Sequence, residues 1–307
     1  MQELRTDLLT GETVILATGR ALRPDTFRVH KPPLPAAVAS CPFCPDNEHE
    51  TPPEVLRIGP GPAETPGWRV RVVPNKYPLV GDGVAGAHEV VILSPAHDKS
   101  VGELAAPAMG DAFLALRDRA AFHLDRGLAH AQPFVNHGKA AGASIEHPHA
   151  QLVALDFVPD RVAARTRRFG AAGDLVQADM NASALVADGD VAVWCPYGSG
   201  TPYVARVALR DAGPRFDRAT DDEAHAVADA LHDTVARLQK LLGDLAYNVV
   251  IETAPRDLTS EFHWWVDVIP RLTVAAGFEL GTGAWANIVA PDAAAEALRE
   301  VEVREPS

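Results

Sequence analysis

The sequence predicts an α+β chain in which one strand–helix–strand unit is used twice. Three observations carry this reading. Two long stretches with apolar residues at helical spacing, 100–126 and 219–242, each lie among short β-like runs. The runs recur in the same order in both halves, and 54 positions separate Leu93 from His147 just as they separate Leu209 from His263. Many of the 25 prolines and 23 glycines fall outside the helical stretches, as short strands joined by irregular loops require.

Each element follows in order. Thr13–Ala17 reads as a first strand, and a polar turn with Arg20 and Arg23 comes after it. The Pro-rich stretch 31–66 holds Cys41 and Cys44 and excludes regular helix or central strand. Over 68–73, Arg69 and Arg71 alternate with apolar residues at a strand period of two, and residues 74–78 end that run. A short strand at 89–93 precedes the first long helix, whose apolar positions include Leu104, Met109, Phe113, Leu116, Ala120 and Leu124. A strand then begins at 133–136 and breaks into a Gly-rich loop, followed by a strand at 147–155. In the second half, residues 191–196 correspond to 70–74 and residues 203–209 to 89–93. The 219–242 helix and strands at Tyr247–Glu252 and 262–269 complete the repeat. The linker falls near 165–190, which divides the chain into units at 1–168 and 169–307.

Composition limits the partners. The 307 residues carry 28 Lys+Arg against 41 Asp+Glu, a net charge of −13, which repels phosphodiester backbones and acidic membranes. Nucleic acid and membrane are therefore not expected as partners, whereas a small phosphorylated ligand in a locally positive pocket is compatible. Three cysteines are too few for a disulfide framework. The first residues have no apolar run, and no stretch reaches the ~18 apolar residues of a membrane span. A cytoplasmic location is the resulting expectation.

The strongest chemical signal is the segment from Asn136 to Gln151. It joins a Gly/Ala/Ser loop, containing Gly138, Gly142 and Ser144, to His147-Pro148-His149-Ala150-Gln151. Small residues let backbone N–H groups close on an anion. On a strand, alternate residues share a face, so His147, His149 and Gln151 point the same way. A neutral imidazole can attack phosphorus, and an amide can donate to a phosphoryl oxygen without changing charge. A second signal, Cys41-Pro42-Phe43-Cys44, suits either a redox pair or half of a zinc site. Proline and turn residues around it, with no βαβ pattern, favour the metal. With one further cysteine in the chain, Cys195, histidines would have to complete four ligands.

The His-x-His-x-Gln segment and its loop resemble the active-site strand of the histidine triad superfamily, in particular its hexose-1-phosphate (galactose-1-phosphate) uridylyltransferase branch. Gln151 stands where the hydrolase branch usually has a third histidine. The resemblance covers about residues 3–290. It implies two tandem histidine-triad-like units, each an antiparallel half-barrel sheet with packed helices. It implies that His149 attacks the α-phosphorus of a nucleoside-diphosphate sugar, so that a sugar 1-phosphate leaves and a nucleotidyl-histidine remains, with Gln151 assisting. It also implies Zn2+ on Cys41, Cys44, His97 and His147, with His88 and His49 as rivals for the place of His97.

Further correspondences follow from the same resemblance. Arg20 and Arg23 would meet substrate phosphates, Asn75 and Asn136 the nucleotide, and Gly142 and Ser144 the phosphate. Phe278 and Glu279 would meet the sugar. A homodimer, the partner completing the sugar pocket, is implied as well. Departures leave the acceptor open. Thr273 and Val274 differ from the usual sugar-contacting residues, so phosphate (a nucleotide-sugar phosphorylase) or water (a hydrolase) are alternatives to a sugar 1-phosphate. A zinc-stabilised binding protein without turnover is a further alternative. Some bacterial relatives hold a second metal through a Glu and several His. Here Arg165 and Trp265 occupy two such places, so that site is expected to be absent and the second unit noncatalytic.

Overall fold

The computed structural model describes residues 2–19, 40–81 and 83–303. The first half contributes strands β1 (Gln2–Thr6), β2 (Thr13–Ala17), β3 (Leu56–Ile58), β4 (Val70–Pro74) and β5 (Gly86–Ile92). Helix α1 (Ala106–Leu124), β6 (His130–His137) and β7 (His149–Leu155) follow. Next come α2 (Asp160–Ala172), α3 (Leu175–Ala182), β8 (Ala184–Ala187), β9 (Val191–Cys195) and β10 (Ala205–Leu209). The chain continues with α4 (Asp221–Leu242), β11 (Tyr247–Glu252), β12 (Trp265–Pro270), α5 (Gly277–Thr282), β13 (Trp285–Asn287) and α6 (Pro291–Arg299).

Ten strands form one antiparallel sheet in the order β3-β4-β5-β7-β6-β11-β12-β10-β9-β8. Read outward from the β6–β11 junction, both halves have the same order, so the repeat seen in the sequence is a repeat of topology. The register agrees. Gln151 opposes Phe134 in one half, Asp267 opposes Val250 in the other, and Phe134 opposes Val250 across the junction. These residues, like His147 and His263, are equally spaced in the sequence, so a pseudo-twofold axis passes between Phe134 and Val250. The short strand β3 in the Pro-rich stretch sits at the sheet edge, where missing ladder donors cost least. A separate small sheet has the order β1-β2-β13.

Helices α1 and α4 pack together on one face of the large sheet. The capping box of Thr220 and Glu223 starts α4, and Pro107 occupies the first turn of α1, where no backbone donor is needed. Their apolar stripes, including Phe113, Leu116, Val227 and Leu231, share one core with Ala150, Leu152 and Ala154 of β7 and Val266 and Val268 of β12. Burying each large side chain contributes roughly 1.5–3 kcal/mol. This core leaves the alternate residues of β7, His149 and Gln151, on the opposite face.

That opposite face is covered differently in the two halves. Over the first half lie Cys41, Phe43 and Cys44, packed with Trp68, Val73, Val90 and Ile92. Over the second half lie Leu9, Phe169 of α2 and Val176 and Met180 of α3, packed with Trp194 and Trp265. The stretch expected as a linker, 165–190, is therefore mostly structured as α2, α3 and β8. In α2 the buried positions are only Val162, Thr166 and Phe169, set among arginines, so the apolar stripe is too thin to register in the sequence. No helix of the described residues is long and apolar enough to cross a membrane.

Candidate active site and metal centre

Strand β7 holds two of the candidate residues, and its pleat puts His149 beside Ile92 and Gln151 beside Val90, facing the Cys41–Cys44 knuckle. The His149 ring is 6% exposed and lies against Phe43, with centroids 5.3 Å apart. Its Nδ1–H donates to the His147 carbonyl at 2.8 Å. That bond selects the tautomer, so the lone pair belongs to Nε2. Burial pushes the imidazole below the ordinary histidine range, while the bond to His147 opposes this in part. A neutral ring with a fixed Nε2 lone pair has the form a nucleophile toward phosphorus needs.

His147 is turned the other way. Its Nε2–H donates to the Ser94 carbonyl at 2.7 Å, and its Nδ1 lies 3.6 Å from Cys44 Sγ. Burial pushes its pKa down to about 4. His97 places Nδ1 3.2 Å from the same sulfur. One ligand atom each from Cys41, Cys44, His97 and His147 lies within 4.8 Å of the others. Tetrahedral zinc, with bonds of about 2.0–2.3 Å, sets its ligand atoms roughly 3.3–3.8 Å apart. The Cys2His2 set therefore fits a metal ion with little rearrangement. Burial, with Cys41 adjacent, pushes the Cys44 thiol up to about 12, a cost that a bound cation would reverse. The rivals are placed elsewhere: the His49 side chain is 72% exposed beside Glu50, and His88 faces Gln151.

The knuckle is anchored by Arg71, buried on β4. Its guanidinium donates to Glu54, Glu64 and Thr51, tying the Pro-rich stretch to the sheet. Glu48 accepts from the Trp68 indole at 2.7 Å, which fixes the same loop from below.

The loop after β6 turns on two left-handed glycines, Gly138 at φ 79° and Gly142 at φ 89°. A Cβ on Gly138 would approach the Ala246 side chain to 2.9 Å, so the loop also requires glycine sterically. Ser144 is exposed beyond it. Asn136 is held by the second unit. Asn248 on β11 donates through Nδ2 to Asn136 Oδ1 at 2.7 Å and to the Ala141 carbonyl at 2.9 Å. Arg271 Nε in turn donates to Asn248 Oδ1. Asn136 therefore keeps its NH2 group free of this network, 3.8 Å from where a Cβ of Gly142 would sit. Asn248 and Arg271 escaped the sequence reading. The available signal was a polar residue next to the apolar run 249–251 of β11, where Asn248 is 7% exposed.

Asn75 joins this face, with its Nδ2 3.1 Å from His88 Nε2. Phe278 and Glu279 do not join it within the described chain. They lie on α5, which packs against β13, and the Glu279 carboxylate accepts from the Ala276 N–H at its own helix start. Arg20 and Arg23 lie outside the described residues.

The second unit places different residues at the corresponding positions. Trp265 fills the place of His149, and Asp267 the place of Gln151. Arg206 on β10 donates to Asp267 at 2.9 Å and to Asp7 and Asp179 at 2.7 Å each. Arg165 pairs with Glu252 beside them. His263 keeps one habit of His147: its Nε2–H donates to a backbone carbonyl, that of Leu209, at 2.9 Å. Its Nδ1, however, faces Asp174 at 3.0 Å rather than a thiol.

A family model described as a domain of unknown function, DUF4921, matches residues 113–304. The chain is 31% identical to an ADP-glucose phosphorylase of Arabidopsis thaliana, over 98% of this chain and 93% of that protein. It is 26% identical to a galactose-1-phosphate uridylyltransferase of Thermotoga maritima, over 55% of this chain and 59% of that one. Among solved structures, an ADP-glucose phosphorylase from Arabidopsis thaliana with bound ADP-glucose superposes at a TM-score of 0.85 and 29% identity. It covers 99% of this chain and 100% of that one. A uridylyltransferase structure at 24% identity, covering 97% of each chain, shares the fold at a TM-score of 0.73.

Proposed function

The chain belongs to the hexose-1-phosphate uridylyltransferase family of the histidine triad superfamily, whose members are nucleotidyltransferases, and from that premise we propose that it transfers the nucleotidyl group of a nucleoside-diphosphate sugar through His149. The observation that carries this reading is the tautomer of His149: Nδ1–H is committed to the His147 carbonyl, so Nε2 is the nucleophile. Nε2 attacks the α-phosphorus, the N–P bond forms, and the P–O bond to the sugar 1-phosphate breaks. Both leaving and entering groups are phosphates and need little protonation, which suits an amide at Gln151 rather than a third histidine. Gly142 and Ser144 would bind the phosphoryl oxygens, Arg20 and Arg23 the outer phosphates, and Asn75 and Asn136 the nucleotide. Phe278 and Glu279 would meet the sugar, with a homodimer completing that pocket. The catalytic unit would be 1–168, the supporting unit 169–307, and the setting cytoplasmic.

The acceptor in this reading is inorganic phosphate, which takes the nucleotidyl group as a nucleoside diphosphate. Full-length similarity to an ADP-glucose phosphorylase supports it. Thr273 and Val274, which depart from the usual sugar-contacting residues, support a weakened sugar-acceptor site. Transfer to a hexose 1-phosphate such as galactose 1-phosphate is the second reading, supported by the uridylyltransferase relatives. Steady-state assays with ADP-glucose or UDP-glucose, offering phosphate, galactose 1-phosphate or water, separate them. Phosphate is expected to give the highest turnover. A clear preference for galactose 1-phosphate would assign uridylyl transfer instead, and release into water alone would assign a hydrolase.

Zn2+ on Cys41, Cys44, His97 and His147 would hold the start of β7 and leave the chemistry to His149. Elemental analysis is expected to find one zinc per chain, lost in Cys44→Ser together with thermal stability. Retention of zinc by that variant would place the metal elsewhere.

A further inference from the structure

We propose that His88 is a positioning residue for the transfer: it sets which end of the Gln151 amide faces the phosphoryl group at His149. The proposal rests on the nucleotidyl-transfer reading above. His88 lies on β5, one alternate position from the residue opposite Gln151, so the two side chains meet diagonally on the site face.

The hydrogen bonds of His88 admit one arrangement. The backbone N–H of Leu79 donates to His88 Nδ1 at 3.1 Å, so Nδ1 holds a lone pair. The single ring proton is therefore on Nε2. Two groups lie near that nitrogen, Gln151 Oε1 at 2.9 Å and Asn75 Nδ2 at 3.1 Å. Only the first can accept, because Asn75 Nδ2 is itself a donor and Asn75 Oδ1 is occupied by the N–H of Tyr77 at 2.8 Å. Nε2–H thus donates to Gln151 Oε1, and the Gln151 NH2 group is left without an acceptor among the described residues. An amide pinned at its oxygen presents only donors to an anion. Released from His88, it can also turn its oxygen toward the phosphoryl oxygens, which repels them.

His88 is 6% exposed, so removing it could disturb packing as well as orientation. Two amide variants separate these effects. His88→Asn retains an acceptor near the Nδ1 position for Leu79 but supplies no donor at Nε2. His88→Gln supplies that donor and gives up the Leu79 bond. The readouts are the single-turnover rate of nucleotidyl-His149 formation from ADP-glucose and the dissociation constant for ADP-glucose, with thermal midpoint and zinc content as controls. His88→Asn is expected to slow adduct formation about 10- to 100-fold with the dissociation constant changed less than about threefold, and His88→Gln to recover most of the rate. In a Gln151→Ala background, His88→Asn is expected to cost almost nothing further. Equal losses in both backgrounds, rescue by Asn but not Gln, or a rate unchanged in His88→Asn would each overturn the proposal. A wild type that forms no adduct with any nucleoside-diphosphate sugar would sink the transfer reading itself.

Discussion

His149→Ala is expected to abolish the nucleotidyl adduct and to lower turnover by about 10⁴-fold or more, while fold and metal are kept. Its two contacts with the scaffold explain why the loss should be so selective. Among the described residues the ring's hydrogen-bond partner is the backbone carbonyl of His147, two residues before it, and its ring neighbour is Phe43. The cluster that could hold a metal includes His147, not His149. Removing the ring therefore leaves a small space against Phe43 but breaks no polar network. Steady-state turnover, zinc content and thermal midpoint, measured together, check this. Turnover within tenfold of wild type would move the nucleophile to another residue, and loss of zinc would make the defect structural.

The largest effect on stability is expected far from the chemistry. Arg206→Met should destabilise the chain by about 3–5 kcal/mol, because it strands buried carboxylates. Arg206 is 3% exposed and is the shared partner of Asp7, Asp179 and Asp267. Burial works against the charge of Asp7, but Arg206 and the N–H groups of Thr10 and Leu9 outweigh it and hold its pKa below the usual value. In the wild type that carboxylate contributes stability at neutral pH, lost as pH falls through its lowered pKa. Without Arg206 the sign reverses. The stranded carboxyls would titrate above their unfolded values, so the variant would be least impaired in acid and lose stability as pH rises. Denaturant midpoints of both proteins across pH 5–8 test this: a deficit that is constant or shrinks with rising pH would show that the cluster is solvated rather than dry.

Much of the site was legible because it is local. His149 and Gln151 share a face of β7, and a period of two places them together without any knowledge of the rest of the chain, whereas His147 lies just before the strand and turns to Cys44 instead. Cys41 and Cys44 were legible for the same reason, through their spacing. The repeat was legible because topology preserved the order of its elements. What stayed hidden depends on contacts across the pseudo-twofold axis. Asn248 reaches Asn136 only because β11 pairs with β6, and no local pattern announces that pairing. His88 could be read as a metal ligand, since spacing does not say whether an imidazole meets a thiol or an amide. Helices α2 and α3 were missed because they cover the second unit with few apolar residues, in a stretch whose arginines and glycines resemble a linker.

The most direct measurement is the intact mass of the wild-type chain after incubation with ADP-glucose, and in parallel UDP-glucose, without added phosphate. The expected result is a gain of one nucleoside monophosphate, mapped to His149, absent from His149→Ala, and discharged as nucleoside diphosphate when phosphate is added. Phosphate-dependent release of sugar 1-phosphate with no such gain, from either nucleotide sugar, would mean direct displacement and would contradict a covalent route through His149.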